Sequence, residues 1–268
     1  MNTNSRLVIV MAHYNNPKGL EDSLASINEP FDIDILVIDD GSVQKPNENR
    51  VREIYISGRV FFEYLEKNSG VGVAANLGLK RALEMNYELI GRLDCGDIFK
   101  ENKCAKQIDY LDAHSDVKLL GTCADVLDNN GVFLHELQLP SEYEIIKKRM
   151  FINSMFLNPS VIFRSEILEV VGDYPLKYKR ASQDYAFFFK VVNNYKAENL
   201  TERLMYYIVD PNSISTTKRR LQVLNRLRVI LDNFYFGIYP IYGLFRNILL
   251  LFLSRTFTTQ LKKKTKKS

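Results

Sequence analysis

Continuous runs of apolar residues, without the alternation of a half-exposed strand, recur along the first hundred residues. Such runs are typical of strands that are buried on both faces of a parallel sheet. They predict four strands, at Arg6–Ala12, Asp32–Ile38, Val60–Leu65 and Tyr87–Leu93. Helical spacing of apolar residues, over Pro17–Ile27, separates the first two runs. The order strand, helix, strand predicts a right-handed βαβ unit.

Shorter elements of both kinds are predicted along the rest of the chain. A helix is expected to end near Met85, and others over Lys100–His114, Glu142–Phe151, Ser165–Val171 and Ser182–Asn194. Strands are expected at Lys118–Leu127, Val132–Leu137, Pro159–Arg164 and Glu198–Val209, the first two as a hairpin around Asp128–Gly131. The pattern therefore predicts an α/β fold in which helices flank the sheet.

The most informative stretch is Gly91–Phe99, GRLDCGDIF, at the end of the fourth predicted strand. It holds Asp94 and Asp97 at the carboxyl end of a buried strand, where ligands bind in open α/β sheets. Two carboxylates at this spacing can hold Mg²⁺ or Mn²⁺, which prefers hard oxygen ligands and shares them with substrate phosphates. A plainer interpretation is a helix start, with Asp97 capping a helix from Lys100 and Asp94 as a turn residue.

A glycine-containing turn, Asn68–Gly78, leads from the third strand into the next helix. Glycines there let backbone N–H groups approach a ligand, and a helix N-terminus favours phosphate. The spacing matches neither a Walker loop nor the dinucleotide fingerprint. This turn therefore indicates anion binding without identifying a nucleotide class.

Charge is distributed unevenly along the 268 residues, although the net charge is only +4. Residues 218–268 carry 12 Lys or Arg against one acid, a net charge of +11, and residues 1–217 carry −7. We therefore predict two parts, a catalytic domain over 1–217 and a basic extension over 218–268. Three cysteines without a CxxC pair, and an N-terminal apolar run of only Leu7–Ala12, favour a cytoplasmic protein without a signal peptide.

Six segments now occur in a recognisable order: VIVMAHYN, ILVIDDGS, NSGVGVAANLGL, RLDCGDI, NPSVIFR and SQDYAFFFK. Together they resemble an inverting, nucleotide-sugar-dependent glycosyltransferase of family 2, with the GT-A fold. The likeness covers about residues 6–217 and is closest to bacterial enzymes of O-antigen or capsular polysaccharide synthesis. It implies a GT-A domain followed by a basic amphipathic helical extension. It also implies transfer from a nucleotide sugar, UDP-linked by expectation, to a lipid-linked saccharide.

The resemblance implies roles for matching residues. Tyr14 and Asn15 match the family's Tyr-Asn near the nucleobase, and Asp39 and Asp40 match the acidic pair after the second strand. Asp94 and Asp97 become the metal site for Mn²⁺ or Mg²⁺, and Asp184 becomes the catalytic base. The remaining expected donor-binding residues are Asn68, Gly70, Asn76 and Arg92.

Three positions depart from the family pattern. Gly96 stands where the second acid of the DxD motif is expected. Three alternatives follow: Asp97 takes over the metal, Asp94 holds it alone, or the dependence on metal is weak. Ala75 stands where many relatives carry a cation, and Gln183 replaces the usual Glu before Asp184. Asp184 also has a plainer explanation, because an acid in the first turn of a helix complements the helix dipole.

The basic extension predicts attachment to an anionic membrane surface. Leu221, Leu224, Leu227 and Leu231 recur at helical spacing, Phe234–Leu253 is apolar but interrupted, and five lysines lie between Lys262 and Lys267. No clean stretch of about 20 apolar residues is present, so we expect an interfacial helix on the inner face of the cytoplasmic membrane. The alternative is a helix packed on the body, and no nucleic-acid module accompanies the charge.

Two other activities compete with glycosyl transfer. A nucleotidyltransferase on a similar sheet would carry a Gly-rich, cationic loop after the first strand, where this chain reads AHYNNP. A non-catalytic module that binds a nucleotide sugar or a polysaccharide would tolerate Gly96. Turnover of the donor separates that module from an enzyme.

Overall fold

The computed structural model describes residues 5–178, 181–209 and 218–252. These residues form one mixed sheet in the order β3-β2-β1-β4-β8-β6-β9-β5, with β7 paired to β6. The strands are β1 Leu7–His13, β2 Asp34–Asp39, β3 Val60–Tyr64, β4 Leu89–Arg92, β5 Ile98–Phe99, β6 Val117–Asp128, β7 Phe133–Leu137, β8 Ile162–Arg164 and β9 Lys196–Val209. The predicted mixed α/β fold is confirmed.

The strands β1 to β4 form the parallel half of the sheet. β1 pairs with β2 on one side and β4 on the other, and β2 pairs with β3. Their carboxyl ends therefore meet at one edge, which positions the loops after His13, Asp39 and Arg92 side by side. The uninterrupted apolar runs are explained by burial, since all six residues of β2 and all four of β4 are buried.

Helices cover both faces of the sheet. They are α1 Pro17–Ala25, α2 Glu48–Ile54, α3 Val71–Glu84, α4 Lys103–Ala113, α5 Tyr143–Arg149, α6 Leu168–Val171, α7 Gln183–Asn194, α8 Arg219–Asp232 and α9 Ile238–Phe252. One core lies under α1, α2 and α4, and the other lies under α3, α5, α6 and α7. The parallel sheet thus lies between two helical layers, as its apolar strands require.

Several local predictions need correction. The helix α2 was missed because it buries only Val51, which leaves no apolar periodicity to read. Pro159 lies in a 3₁₀ turn, so β8 begins at Ile162. The interpretation of Asp97 as a helix cap is wrong, because α4 begins at Lys103. The carboxylate of Glu29 accepts the next two N–H groups of its first turn, those of Cys104 and Ala105. The predicted β6–β7 hairpin is confirmed.

The helices α8 and α9 pack on the body. α8 buries Val229 and Ile230 in the core that includes α7, and the backbone of Gly243 in α9 lies against Phe151. Arg246 donates a hydrogen bond to the carbonyl of Ile152. The predicted boundary after residue 217 and the lysines at 262–267 lie outside the described residues, so the two-part division stays a prediction.

Candidate active site

The loop after β1 is held by a buried histidine. His13 and Asp39 are fully buried, and the Nδ1 and Oδ1 atoms that join them are 2.6 Å apart. The Nε2 atom of His13 accepts the N–H of Asn16, so Nδ1 carries the proton and donates it to Asp39. The backbone N–H of Ser42 donates to the other carboxylate oxygen at 3.0 Å. Burial acts to raise the pKa of Asp39, but the hydrogen bonds from Ser42 and His13 hold it below its usual value.

Asn15 joins the loops that follow β1 and β2. Its Oδ1 accepts the N–H groups of Val43 and Gln44, both at 2.9 Å, and its own N–H donates to Ser42. Asn15 has a φ of 49°, a left-handed conformation that asparagine tolerates. The neighbouring Tyr14 is half exposed. This leaves the Tyr14 ring available to a ligand, while the amide oxygen of Asn15 is occupied within the protein.

Asp40 holds the glycine-containing turn. Its two carboxylate oxygens accept the N–H groups of Ser69 and Gly70 at 2.7 and 2.9 Å. Burial raises the pKa of Asp40, and those two N–H groups oppose the rise. Asn68 in the same turn is exposed. Asp39 and Asp40 therefore act on any donor chiefly through the loops that they hold in place.

Asn76 connects α3 to the loop before α7. Its Nδ2 donates to the carbonyl of Tyr174, and its Oδ1 accepts the N–H of the same residue, both at 2.9 Å. The first turn of α3 also meets α7, because the backbone of Gly72 lies against the side chain of Gln183. The N-termini of both helices thereby converge beside the edge of the sheet.

A cleft of about 1010 Å³ opens at this edge, and it brings four of the predicted residues together. Arg92, Asp94 and Asp97 line it from the end of β4, and Asp184 lines it from the first turn of α7. Within the described part of the chain, the cleft lining does not include the other predicted donor-binding residues, which are Tyr14, Asn15, Asp39, Asp40, Asn68, Gly70 and Asn76. Those residues hold or border the neighbouring loops.

Arg92 is the least satisfied polar residue of the cleft. Its side chain is 1% exposed, and its Nε and Nη1 atoms have no hydrogen-bond partner among the described residues. Its Nη2 atom is 3.8 Å from Oδ1 of Asp94, and its guanidinium lies 5.7 Å from the ring centre of Tyr174. A buried cation with unpaired donors is costly unless an anion completes it. Arg92 therefore indicates an anionic ligand beside Asp94.

Asp94 is positioned by residues that the sequence did not single out. Nδ2 of Asn158 contacts both carboxylate oxygens at 3.4 and 3.5 Å, and the hydroxyl of Tyr174 donates to Oδ1 of Asn158 at 3.1 Å. Burial raises the pKa of Tyr174 to about 12, so it stays protonated and able to donate. Asn158 is the first residue of the NPSVIFR segment. That motif is the feature of the sequence that could have indicated a site residue here.

Asp97 is buried, and its Oδ1 accepts the N–H of Ile208 in β9 at 2.8 Å. Burial raises its pKa well above the usual value, and the charge of Asp94 raises it further. A divalent cation between the two carboxylates would relieve that repulsion. No group of three or more His, Cys, Asp or Glu side chains able to hold a metal occurs in 5–178, 181–209 and 218–252. Two carboxylates still suit Mg²⁺ or Mn²⁺, whose other ligands come from phosphates and water.

Gly96, in the expected DxD motif, has a backbone reason to be glycine. Its φ is +109°, a region that side chains rarely adopt, although nothing lies closer than 3.9 Å to the position of an added Cβ. Its N–H donates to Ser23 in α1 at 2.8 Å, which ties the turn to the helix. The second carboxylate of this turn is consequently Asp97, one residue later.

Asp184 lies in the first turn of α7 and is half buried. Burial raises its pKa and the charge of Asp94 raises it further, against the opposing effects of the N–H of Tyr185 and, more weakly, of Arg226. A carboxylate with a raised pKa, facing a cleft, has the properties of a general base. A favourable interaction of Asp184 with the dipole of α7 would not by itself explain why a second carboxylate, that of Asp94, lies close enough to raise its pKa.

Comparisons with known proteins identify the family of the chain. Residues 8–172 match the family described as glycosyl transferase family 2. An uncharacterized glycosyltransferase of Methanocaldococcus jannaschii is 32% identical over 76% of this chain and 70% of its own length. A UDP-Gal:alpha-D-GlcNAc-diphosphoundecaprenol beta-1,3-galactosyltransferase of Escherichia coli is 28% identical over 79% and 76%.

Solved structures share the fold. The chain resembles S. aureus TarS 1-349 in complex with UDP-GlcNAc, with a TM-score of 0.69 and 18% identity. The match covers 90% of this chain and 70% of that one.

Proposed function

Because the chain belongs to glycosyl transferase family 2, we propose that it transfers a sugar from a UDP-linked donor to a lipid-diphosphate-linked saccharide. The product is a longer glycan of inverted anomeric configuration, made for a surface polysaccharide. The observation that carries this proposal is the meeting of Asp184 with Asp94 and Arg92 in one cleft. The names of the similar E. coli enzyme and of the UDP-GlcNAc complex support the lipid-diphosphate acceptor and the UDP donor.

In this proposal the donor diphosphate lies between Arg92, Asp94 and Asp97. Arg92 supplies the unpaired donors for an anion, and the two carboxylates would hold Mn²⁺ or Mg²⁺. A bound cation neutralises negative charge on the leaving diphosphate. The loops held by Asp39 and Asp40 border the nucleoside, with Tyr14, Asn15, Asn68 and Gly70 nearest to it, and Asn76 fixes α3 behind it.

Asp184 acts on the acceptor. Inverting transfer is a single displacement, so the attacking hydroxyl must lose its proton as the new bond forms. Asp184 accepts that proton, and its raised pKa makes it a stronger base than an exposed aspartate. The base and the leaving diphosphate must lie on opposite sides of the anomeric carbon. Asp184 reaches the cleft from α7 and the proposed diphosphate site reaches it from β4, so the two come from different elements, as that requirement needs.

The helix α9 supports attachment to a membrane surface. It packs on the body through Pro240, Gly243 and Asn247, while large apolar side chains on its other side stay exposed. The exposed set includes Ile238, Ile241, Tyr242, Phe245, Ile248, Leu249 and Phe252. In the described residues, no helix is both long and apolar enough to cross a bilayer. We therefore propose peripheral binding to the cytoplasmic face of an anionic membrane, strengthened by the basic sequence that follows.

The enzymatic proposal is tested with the full-length protein, UDP-sugars, Mn²⁺ or Mg²⁺ and an acceptor of GlcNAc linked through diphosphate to an alkyl chain. We expect release of UDP and a product whose anomeric configuration, read by NMR, is opposite to that of the donor. Release of pyrophosphate in a parallel reaction that contains UTP and a sugar 1-phosphate would instead identify a nucleotidyltransferase. Binding of UDP-sugars without any turnover would identify a non-catalytic module.

The membrane proposal is tested by flotation with vesicles containing anionic lipid, at low and high salt. The full chain should float at low salt and partly at high salt, because apolar burial persists when charge is screened. Phe245→Glu should reduce the salt-resistant part. Ile56→Glu is the matched control, since Ile56 is an apolar residue on the body that is even more exposed, at 83% against 62% for Phe245. Equal flotation of the two variants would contradict attachment through α9.

A further inference from the structure

The helix α8 forms one wall of the cleft beside the proposed base. Gln222 of α8 lines the cleft, and its carbonyl accepts the hydroxyl of Ser182 at 3.4 Å. Nδ2 of Asn225 donates to the carbonyl of Ala181 at 2.9 Å. These contacts fix α8 against the residues that precede Asp184. The face of α8 that carries Gln222 is therefore directed at the start of α7.

Arg226 lies one helical turn after Gln222 on the same face, since residues four apart are neighbours on a helix. It is partly buried, and burial lowers its pKa. Its Nη1 atom donates to Oδ1 of Asn247 in α9 at 3.3 Å. No carboxylate lies within salt-bridge distance of Arg226 or of Arg246 in the described ranges. By contrast, Arg6 is held by both Glu88 and Asp112.

The position of Arg226 distinguishes it from Arg92. Arg92 is at the end of β4 beside Asp94, where the donor diphosphate is proposed to lie. Arg226 instead bridges the α8 wall of the cleft to α9, whose outer side is exposed and apolar. A lipid-linked acceptor with its sugar at Asp184 and its lipid at this apolar surface would carry its phosphates between the two.

We propose that Arg226, with Gln222 and Arg246 beside it, binds the diphosphate of the lipid-linked acceptor. The ligand class is a prenyl diphosphate, and the guanidinium suits it because its planar fork of donors matches phosphate oxygens. This inference rests on the proposed function, since it assumes an acceptor of that kind. It assigns to α8 a second anion site, separate from the donor site at Arg92.

The test uses farnesyl diphosphate as the probe and farnesol as its uncharged analogue, titrated into the full-length protein in detergent. UDP and Mn²⁺ are kept saturating so that the donor site is occupied. We expect farnesyl diphosphate to bind more tightly than farnesol. The variant Arg226→Gln should lower the affinity for farnesyl diphosphate about tenfold or more, because one charged hydrogen bond is lost. Arg220→Gln is the matched control, because Arg220 is an exposed arginine of the same helix.

A second variant keeps the test decisive if Arg226→Gln does not fold. Gln222→Glu adds a carboxylate four residues before Arg226, a favourable spacing that neutralises the cation without removing a buried contact. Gln222→Glu should therefore lower the affinity for farnesyl diphosphate as Arg226→Gln does. Unchanged binding in a folded Gln222→Glu protein, or equal loss in Arg220→Gln, would overturn the proposal. A further titration without UDP completes the test: binding of farnesyl diphosphate that occurs without UDP and is lost when UDP is saturating would also overturn the proposal, because the probe would then occupy the donor site.

Failure of the enzymatic proposal has a different signature. If wild-type protein binds farnesyl diphosphate through Arg226 but transfers no sugar to a diphosphate-linked acceptor, the site stands and the reaction fails. If transfer occurs and Arg226→Gln leaves the acceptor KM unchanged, the reaction stands and the site fails. In the supporting case, Arg226→Gln raises the acceptor KM about tenfold and leaves the donor KM unchanged.

Discussion

Two neighbouring regions at the carboxyl ends of the same parallel strands pair their polar side chains in opposite ways. After β1 and β2, His13 and Asp39 form a closed set of hydrogen bonds, in which each carboxylate oxygen and each ring nitrogen has a partner. At the end of β4, Arg92 has two unpaired nitrogens, and the cleft beside it holds Asp97 and, from the start of α7, Asp184, both with raised pKa values. The first region is complete without a ligand, and the second is not.

We therefore expect the first region to stabilise the fold and the second to bind a ligand. A satisfied buried network stabilises one arrangement of the loops, whereas unpaired buried charge costs stability and is retained where a ligand or a reaction uses it. Substitutions in the first region should therefore reduce stability. Substitutions in the second should reduce activity with little loss of stability.

The largest expected effect is that of Asp184→Asn. If Asp184 is the general base as proposed, its removal should lower kcat by about 10²- to 10⁴-fold. Binding of UDP should persist, and the melting temperature should hold or rise, because a carboxylate of raised pKa destabilises the fold when it ionises. In the wild type, kcat should fall as pH falls through the raised pKa of Asp184.

Asp116→Asn is the control for that variant, since Asp116 is an exposed carboxylate paired with Lys196. It should leave kcat unchanged. Near-normal turnover in a folded Asp184→Asn protein would remove the role of base and would leave the helix dipole as the explanation of Asp184.

The next largest effect is expected for Asp39→Ala, measured as the free energy of unfolding in urea. The substitution leaves the N–H groups of His13 and Ser42 buried without an acceptor, at about 1–3 kcal/mol each. We therefore expect a loss of roughly 2–6 kcal/mol. Asp116→Ala breaks an exposed ion pair and should cost less than about 1 kcal/mol.

The effect of Asp39 should depend on pH in a defined direction. Its folded pKa is lowered, so its contribution to stability is complete above the unfolded pKa of about 3.9 and is lost as pH falls through the folded value. The difference between wild type and Asp39→Ala should therefore be constant near neutral pH and shrink below about pH 4. A difference that grows on acidification would contradict the assignment.

A smaller effect is expected for Arg92→Met, measured as the affinity for UDP with Mn²⁺. Methionine keeps much of the apolar volume and removes two unpaired nitrogens, so stability should be unchanged or higher. The affinity should fall about tenfold, because one charged hydrogen bond to phosphate is lost.

Arg59→Met makes the matched comparison. Arg59 is also near the sheet, but it donates to the buried carboxylate of Asp34 through Nη2 at 2.6 Å. Its loss should lower stability and leave the affinity for UDP unchanged. If Arg92→Met proves the more destabilising of the two, the unpaired state of Arg92 does not describe the protein in solution.

The sequence could predict the parallel strands because burial on both faces leaves an uninterrupted apolar run. It could also single out Asp94, Asp97 and Asp184 as candidates, since each follows or begins a recognisable element, and all three line the cleft. It could not predict the pairing of His13 with Asp39, because that contact joins residues 26 positions apart through the register of β1 and β2. The approach of α8 to α7 depends likewise on tertiary packing that no local pattern encodes.

The smallest expected effect concerns Gly96→Asp, which restores the acid of the DxD motif. The φ of +109° at Gly96 should make the variant less stable by about 1–3 kcal/mol, although the added Cβ meets no close atom. Gly131→Asp is the matched control, because Gly131 also has a positive φ and open space but lies in the β6–β7 turn. Both variants should lose similar stability. Calorimetry with Mn²⁺ and UDP should show no tighter metal binding in Gly96→Asp, because Asp97 already supplies the second carboxylate and a third raises the repulsion. Tighter Mn²⁺ binding with unchanged stability would show instead that the turn accepts the acid and that Asp97 does not replace it.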